Sequence, residues 1–317
     1  MSDSKRTVGV LGAGAIGSTV CADLVLHGFG VVLVDVDPSA LERALDTVAQ
    51  AARFGPMLRP ALPRVDPDDA LASVVVSEDL ADLDACEFVV ENVSERWEVK
   101  EQVYRALDKV LPPGVGIGVN TSSIGIGRLA ATTGRPELVV GVHFMNPSHL
   151  TDTVEVMRGA QTSEECMAYV RGLLGALGKE AVVVGDFPGF VSNRISHLFF
   201  NEAARLIEDE GLDPTVVDTI FKKCFGHRMG PLETIDLIGV DTVALTLDSL
   251  YDSYQDPRFR ASGLLRSLMA EGRLGRKTGA GFYDYGGAPH GDGGAPEGSS
   301  GTSHDSTAPA TDTRKKA

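Results

Sequence analysis

The stretch "GVHFMNPSHLTDTVEV", residues 141 to 156, ends an apolar strand on His143 and sets Glu155 between Val154 and Val156. A carboxylate flanked by valines is destabilising unless it is paired or its strand lies at a sheet edge. If Glu155 accepts from one imidazole nitrogen of His143, it fixes the tautomer and supports the cation formed when the other nitrogen takes a proton. Such a pair is a general base. A histidine on its own is more often a packed core or surface residue, so it is Glu155 that turns the reading toward chemistry.

A second constellation sits at the other end of the same half of the chain. "GAGAIG" places Gly12, Gly14 and Gly17 between a Val-rich strand and a helical stretch, the arrangement in which backbone N–H groups and a helix dipole meet a pyrophosphate. A G-x-G-x-x-G alone is weak, because a tight glycine turn needs no ligand. Here Asp35 closes the next strand at about the spacing, ~20 residues, expected of a ribose ligand. An aspartate there accepts from the 2′-hydroxyl and repels a 2′-phosphate, so the expected cofactor is NAD rather than NADP. No metal is called for: Cys21, Cys86, Cys166 and Cys224 are scattered without zinc-ligand spacing and read as reduced core residues.

"VGVNTSS" brings Asn120 and Ser122 to a strand end, and in open α/β sheets ligands bind along the carboxyl edge. A capped strand–helix turn would use the same residues. Asn193, in "PGFVSNRISH", opens a later helix and could reach back to hold a carbonyl or alcohol oxygen, or could be an exposed early-helix amide. With a nicotinamide beside it, a His143 base would remove an alcohol proton while hydride leaves the same carbon. That chemistry is alcohol oxidation, or its reverse.

The elements that must position these groups follow from texture. Val-rich runs at "TVGVLG", "GVVLVDVD", "ACEFVVENV", "VGIGVNTS", "LVVGVHF" and "DTVEVM" alternate with helical stretches, which predicts a doubly wound parallel sheet of Rossmann type over residues 1–186. From Ser192 the pattern is amphipathic helices broken at "EGLDP" and "RMGP", predicting an all-α domain over 187–286. Residues 287–317 are rich in Gly, Pro, Ser, Thr and Asp, have no Phe, Tyr, Trp or large aliphatic residue, and are expected to form a disordered tail. The 317 residues are enough for two cores, and 43% apolar with 23% charged residues is globular composition. A formal net charge of −15 argues against nucleic acid, and neither a signal pattern nor a membrane-length apolar run is visible, so a cytoplasmic protein is expected.

Together "NTSS", "HFMNP", "VEV", "DFPGFVSNR", "MGPLETIDLIGVD" and "GRKTGAGFYDY" resemble the 3-hydroxyacyl-CoA dehydrogenases, in order and near their spacings, from about Thr7 to Tyr285. The resemblance implies a catalytic His143 polarised by Glu155, with Ser122 and Asn193 holding substrate oxygen. It also implies that Glu95, Lys100, Asn146 and Lys277 contact the dinucleotide alongside Gly12, Gly14, Gly17 and Asp35. A homodimer through the helical domain is implied too, and the apolar stretch from Gly230 to Asp252 would support it.

Three features depart from the family. There is no lysine from Val8 to Val99, and the arm that carries the usual CoA-binding lysines is expected to be broken by Pro56, Pro60, Pro63 and Pro67. Asp152 replaces a common lysine. His197 and Asn201 fall on the same helical face as Asn193, where apolar residues are usual, and suggest a pocket for a short polar acyl group. With "VVENVSERWEVK", these features make the chain resemble the subgroup that oxidises a glyceryl group on an acyl carrier protein for antibiotic extender units. Basic groups at Lys222, Lys223, Arg228, Arg273 and Arg276 could dock such a carrier. Two alternatives stay open: an ordinary 3-hydroxybutyryl-CoA or 3-hydroxyacyl-CoA dehydrogenase, and a non-catalytic NAD(H)-binding or structural protein on the same fold.

Overall fold

The computed structural model describes residues 6–286. The expected tail at 287–317 lies outside them.

The first half alternates strand and helix: β1 (Thr7–Leu11), α1 (Ala15–Leu26), β2 (Gly30–Val34), α2 (Pro38–Leu58), α3 (Pro67–Leu71), β3 (Val74–Ser77), β4 (Phe88–Glu91), α4 (Trp97–Val110), β5 (Gly116–Val119), α5 (Ile126–Ala130) and β6 (Val139–His143). β7 (Thr153–Arg158), α6 (Glu164–Ala176) and β8 (Glu180–Gly185) complete an eight-stranded sheet of order β3-β2-β1-β4-β5-β6-β7-β8. The order reverses between β1 and β4, so the cleft between their carboxyl ends is the switch point where such sheets bind ligands.

One departure from the expected all-parallel sheet matters for the site. β7 runs antiparallel to β6, in a register that sets His143 directly opposite Glu155. Cross-strand partners have Cβ atoms only about 5 Å apart, so the pairing read from the sequence is built into the ladder.

Val8, Val10, Leu33 and Val140 pack under α1, α2 and α6 on one face of the sheet, and Val89, Ile117, Val119 and Val139 pack under α4 and α5 on the other. Burial on both faces explains why these strands read as unbroken valine runs rather than as alternating patterns. The second core belongs to α7 (Ser192–Glu210), α8 (Pro214–Cys224), α9 (Pro231–Ile238), α10 (Val240–Tyr254) and α11 (Gly263–Ala270), with Leu232, Ile235, Leu247 and Leu250 fully buried.

The arm is broken at two of the four expected prolines: Pro60 and Pro63 lie in the non-helical stretch between α2 and α3, while Pro56 and Pro67 do not break a helix. α2 runs for 21 residues, with Pro56 inside its last turn, and Pro67 opens α3 rather than ending a helix. A proline this close to a helix end removes only one intrahelical bond, and at a first helical position it removes none. Arg59, just past α2, bonds the carbonyls of His149 and Thr151 and pairs with Asp152, which fastens the arm to the entry of β7.

The glycine loop has little tolerance. Gly12 has φ +95°, and a Cβ on Gly17 would collide with the Gly12 carbonyl. The obstacle is backbone, which cannot swing aside. Gly17→Ala should therefore lower thermal stability by several degrees, as expected for about 2 kcal/mol of strain in a domain of this size, with cofactor binding lost in parallel. A melting curve superimposable on that of the parent would show that α1 packs more loosely than this.

Candidate active site

His143 ends β6 with its ring buried between two partners. Nδ1 lies 3.1 Å from Oε2 of Glu155, and Nε2 lies 3.2 Å from Oγ of Ser122. Because an ionised carboxylate can only accept, Nδ1 carries the proton, and Nε2 presents its lone pair toward Ser122 and the cleft. A lone pair held there is a proton acceptor.

Glu155 is 7% exposed, and every donor it needs is supplied. Val191 and Ser192 donate their backbone N–H groups to Oε1 at 2.8 and 3.1 Å, and the Ser192 hydroxyl donates to Oε2 at 2.7 Å. Burial works against the charge, but the hydrogen bonds from His143, Ser192 and the two backbone groups outweigh it and bring the carboxyl down to about 2. Those donors lie at the very start of α7, so the first turn of the helical domain is pinned onto the catalytic pair. Asn193 follows, its amide donating to the Ser122 carbonyl at 3.2 Å.

Ser122 is placed by a second carboxylate. Glu95 Oε1 accepts from the Thr121 hydroxyl at 2.5 Å and from the N–H groups of Ser122 and Ser123 at 2.8 and 2.9 Å. Although burial opposes its charge, Lys100 and these donors hold the Glu95 carboxyl below its ordinary value. Lys100 is fully buried, and its Nζ bonds both oxygens of Glu91 and the Asn120 carbonyl. Lys100 is thus placed beneath the cleft, not in it. Asn120 is likewise a strut: its amide donates to Asn92 and its Oδ1 accepts from Phe144 N–H.

A cavity of about 230 Å³ runs from the glycine loop to this turn, lined by Gly14, Ile16, Asn92, Glu95, Thr121 and Ser122. Gly14 has open space where a side chain would project, and its backbone is exposed at the start of α1. Asp35 ends the adjacent strand, its carboxylate accepting from Ala13 and Asp37 N–H. These residues could hold a dinucleotide, with the N–H groups around Gly14 for its phosphates and the Asp35 carboxylate for a ribose hydroxyl.

The structure places the other expected residues as follows. Lys277 pairs with Asp241 in the helical domain, and Asn146 is exposed in the turn after β6. Asn201 is not a pocket residue. Its amide donates to the carbonyls of Arg258 and Arg260, its Oδ1 accepts from Ser262 N–H, and it is 1% exposed, so nothing remains to meet a substrate. Sequence reasoning missed Ser192, Thr121 and Glu91. Glu91 carries a signal like that of Glu155, a carboxylate set directly against valines, and could have been found by it.

Comparison with known proteins decides the family. The family model for the 3-hydroxyacyl-CoA dehydrogenase NAD binding domain matches residues 7–187, and that for the 3-hydroxyacyl-CoA dehydrogenase C-terminal domain matches 189–285. The chain belongs to the 3-hydroxyacyl-CoA dehydrogenase family. It is an NAD-dependent oxidoreductase acting on CH–OH groups. Similar proteins include a probable 3-hydroxybutyryl-CoA dehydrogenase of Bacillus subtilis, 36% identical over 88% of this chain and 97% of that one. A 3-hydroxybutyryl-CoA dehydrogenase of Bradyrhizobium diazoefficiens is 38% identical over 89% and 96%. The crystal structure of (S)-3-hydroxybutyryl-CoA dehydrogenase PaaH1 from Ralstonia eutropha superimposes with a TM-score of 0.82 at 37% identity, covering 90% of this chain and all of that one. These family members are named for CoA thioesters, and they lend no support to the resemblance to the carrier-protein subgroup. Among the described residues no helix is long and apolar enough to cross a membrane.

The depressed Glu155 carboxyl has a consequence for stability. Its ionised form is favoured in the fold, so its contribution is fully present above the ordinary value of about 4.5 and is lost as pH falls toward about 2. Urea unfolding of the parent and of Glu155→Gln should differ by a constant amount between pH 5 and 7, and the gap should narrow below pH 4. A gap independent of pH down to 3 would show that Glu155 is not held as a charge.

Proposed function

We propose that the chain oxidises short 3-hydroxyacyl-CoA thioesters, of the 3-hydroxybutyryl-CoA type, to 3-ketoacyl-CoA with NAD. The observation that carries this is the Glu155–His143–Ser122 line, which leaves Nε2 of His143 as an oriented proton acceptor against Ser122, a residue that lines the dinucleotide cavity. Bound NAD supplies the hydride acceptor. The substrate hydroxyl displaces Ser122 Oγ as the donor to Nε2, while the Ser122 hydroxyl and the Asn193 amide hold its oxygen and the thioester carbonyl. As the proton arrives, the imidazolium gains an ion pair with Glu155 that neutral imidazole lacked, so this stabilisation grows along the reaction. A structural protein would have no use for a lone pair held this way, and the complete His143, Glu155, Ser122 and Asn193 set weighs against the non-catalytic reading.

CoA is favoured over a carrier protein by the arm as well as by the names of the relatives. The arm lacks lysine but not charge. Arg53 and Arg64 line a cavity of about 660 Å³ with Ala52, Pro56, Met57, Val65 and one carboxylate, Asp66, so two guanidinium groups and an apolar floor are offered to a nucleotide's phosphates and base. Lys222, one of the groups offered for docking a carrier, is tied to Glu233 at 2.6 Å. A homodimer through the helical domain is part of the same reading, supported by Leu237, Ile238 and Leu245, which are 53, 39 and 56% exposed.

Purified protein should form NADH from NAD and (S)-3-hydroxybutyryl-CoA, and His143→Gln should lower turnover by about 10² to 10⁴ with NAD affinity little changed. Arg53→Glu with Arg64→Glu should raise KM for the CoA thioester and leave it unchanged for the N-acetylcysteamine thioester, which has no phosphates. Near-parent turnover in His143→Gln would remove His143 from the mechanism. Equal effects of arm reversal on both thioesters would remove the arm from CoA binding.

A further inference from the structure

α7 begins by fixing the catalytic pair and continues with a buried histidine that the reaction as described does not use. His197 stands one turn beyond Asn193 on the same face of α7, and it is 4% exposed. Its Nδ1 lies 3.0 Å from the Asn193 carbonyl, an acceptor, so Nδ1 carries the proton and Nε2 is left with its lone pair. That Nε2 is buried and makes no hydrogen bond to the protein. The ring packs edge-on against Phe200, with centroids 5.8 Å apart.

Burial, only partly offset by the Asn193 carbonyl and reinforced by the nearby His143, pushes His197 down to about 4, so it is neutral in ordinary buffers. It is an acceptor and not a cation. Its polar neighbour on the same face, Asn201, is saturated by backbone partners, and of the side-chain polar atoms of Asn193, His197 and Asn201 it is Nε2 of His197 that is buried without a hydrogen bond.

We propose that His197 selects the acyl group: its Nε2 accepts a hydrogen bond from a hydroxyl or amide N–H carried beyond C3 of the substrate. The inference rests on the reading of the chain as a 3-hydroxyacyl thioester dehydrogenase and names the acyl class within it. The reacting oxygen is held at Ser122, His143 and Asn193, and four residues of helix advance about 6 Å along α7. His197 shares a face of α7 with Asn193 and is near enough to His143 to feel its charge, so the proposal places a donor on C4 or C5 against Nε2. A plain alkyl chain laid against the same atom leaves a desolvated acceptor without a partner, while a donor there satisfies it. A polar site separates such substrates more sharply than an apolar pocket separates chains one methylene apart.

The experiment compares kcat/KM for two pairs of CoA thioesters that differ by one hydroxyl: 3-hydroxybutyryl against 3,4-dihydroxybutyryl, and 3-hydroxyvaleryl against 3,5-dihydroxyvaleryl. The parent enzyme should prefer the dihydroxy member of at least one pair by roughly ten- to a hundredfold, the range for one buried hydrogen bond made or left unmade. In His197→Val the preference should fall to within about threefold through faster alkyl turnover, with NAD affinity unchanged. A parent enzyme that prefers the alkyl member of both pairs, or does not discriminate, overturns the proposal, and that arm needs no variant to fold. A preference that survives in His197→Val also overturns it. If none of the four thioesters is oxidised by the parent, the thioester reading itself fails, an outcome distinct from loss of selectivity.

Discussion

The site depends on one buried charge. Glu155 sits in a valine-lined strand and keeps its carboxylate ionised only because donors converge on it from β6 and from the first turn of α7. Remove that convergence and the charge becomes a liability of several kcal/mol, the usual penalty for an unpaired buried ion. The same interaction therefore aligns the base, fixes its tautomer and ties the helical domain to the sheet. The junction of the two family domains and the catalytic centre are one place.

A second carboxylate repeats the logic on the cofactor side. Glu95 gathers the N–H groups of Ser122 and Ser123 and the Thr121 hydroxyl, and the buried Lys100 holds Glu91 and Asn120 beneath it. Ser122 is thus held between Glu95 on one side and His143 on the other. Its hydroxyl is aimed before any substrate arrives, which is how positioning lowers a barrier without cost at the moment of reaction.

Much of this was legible in the sequence because it rests on local patterns. Valine runs gave the sheet, and Gly12, Gly14, Gly17 and Asp35 gave the nucleotide end. The isolated Glu155 pointed to its partner because a carboxylate among valines demands one. What could not be read depends on three-dimensional neighbours. The antiparallel turn of β7 leaves no mark in a short apolar run, since either direction buries both faces. Nothing in the sequence marks Ser192, and only the meeting of α7 with β7 shows that its hydroxyl and N–H both donate to Glu155. Lys100 was expected at the dinucleotide by family likeness, and Asn201 at the acyl group by its shared helical face with Asn193. Their partners are the protein's own carboxylates and backbone, contacts spanning from 9 to 61 residues in sequence. In the arm the sequence marked the break at Pro60 and Pro63, between α2 and α3, but not that Pro56 stays inside the last turn of α2 and Pro67 opens α3.

The central claim is that Glu155 holds His143 as the Nδ1–H tautomer with a bare Nε2 facing the cleft. Nitrogen-15 NMR of histidine-labelled protein at pH 8 tests it directly, with His143 assigned by comparison with His143→Gln. The account predicts a protonated-type shift at Nδ1 and a lone-pair-type shift at Nε2 in the parent, giving way to a mixture of tautomers in Glu155→Gln. A parent spectrum in which Nε2 carries the proton would contradict it, since no base would then face the substrate.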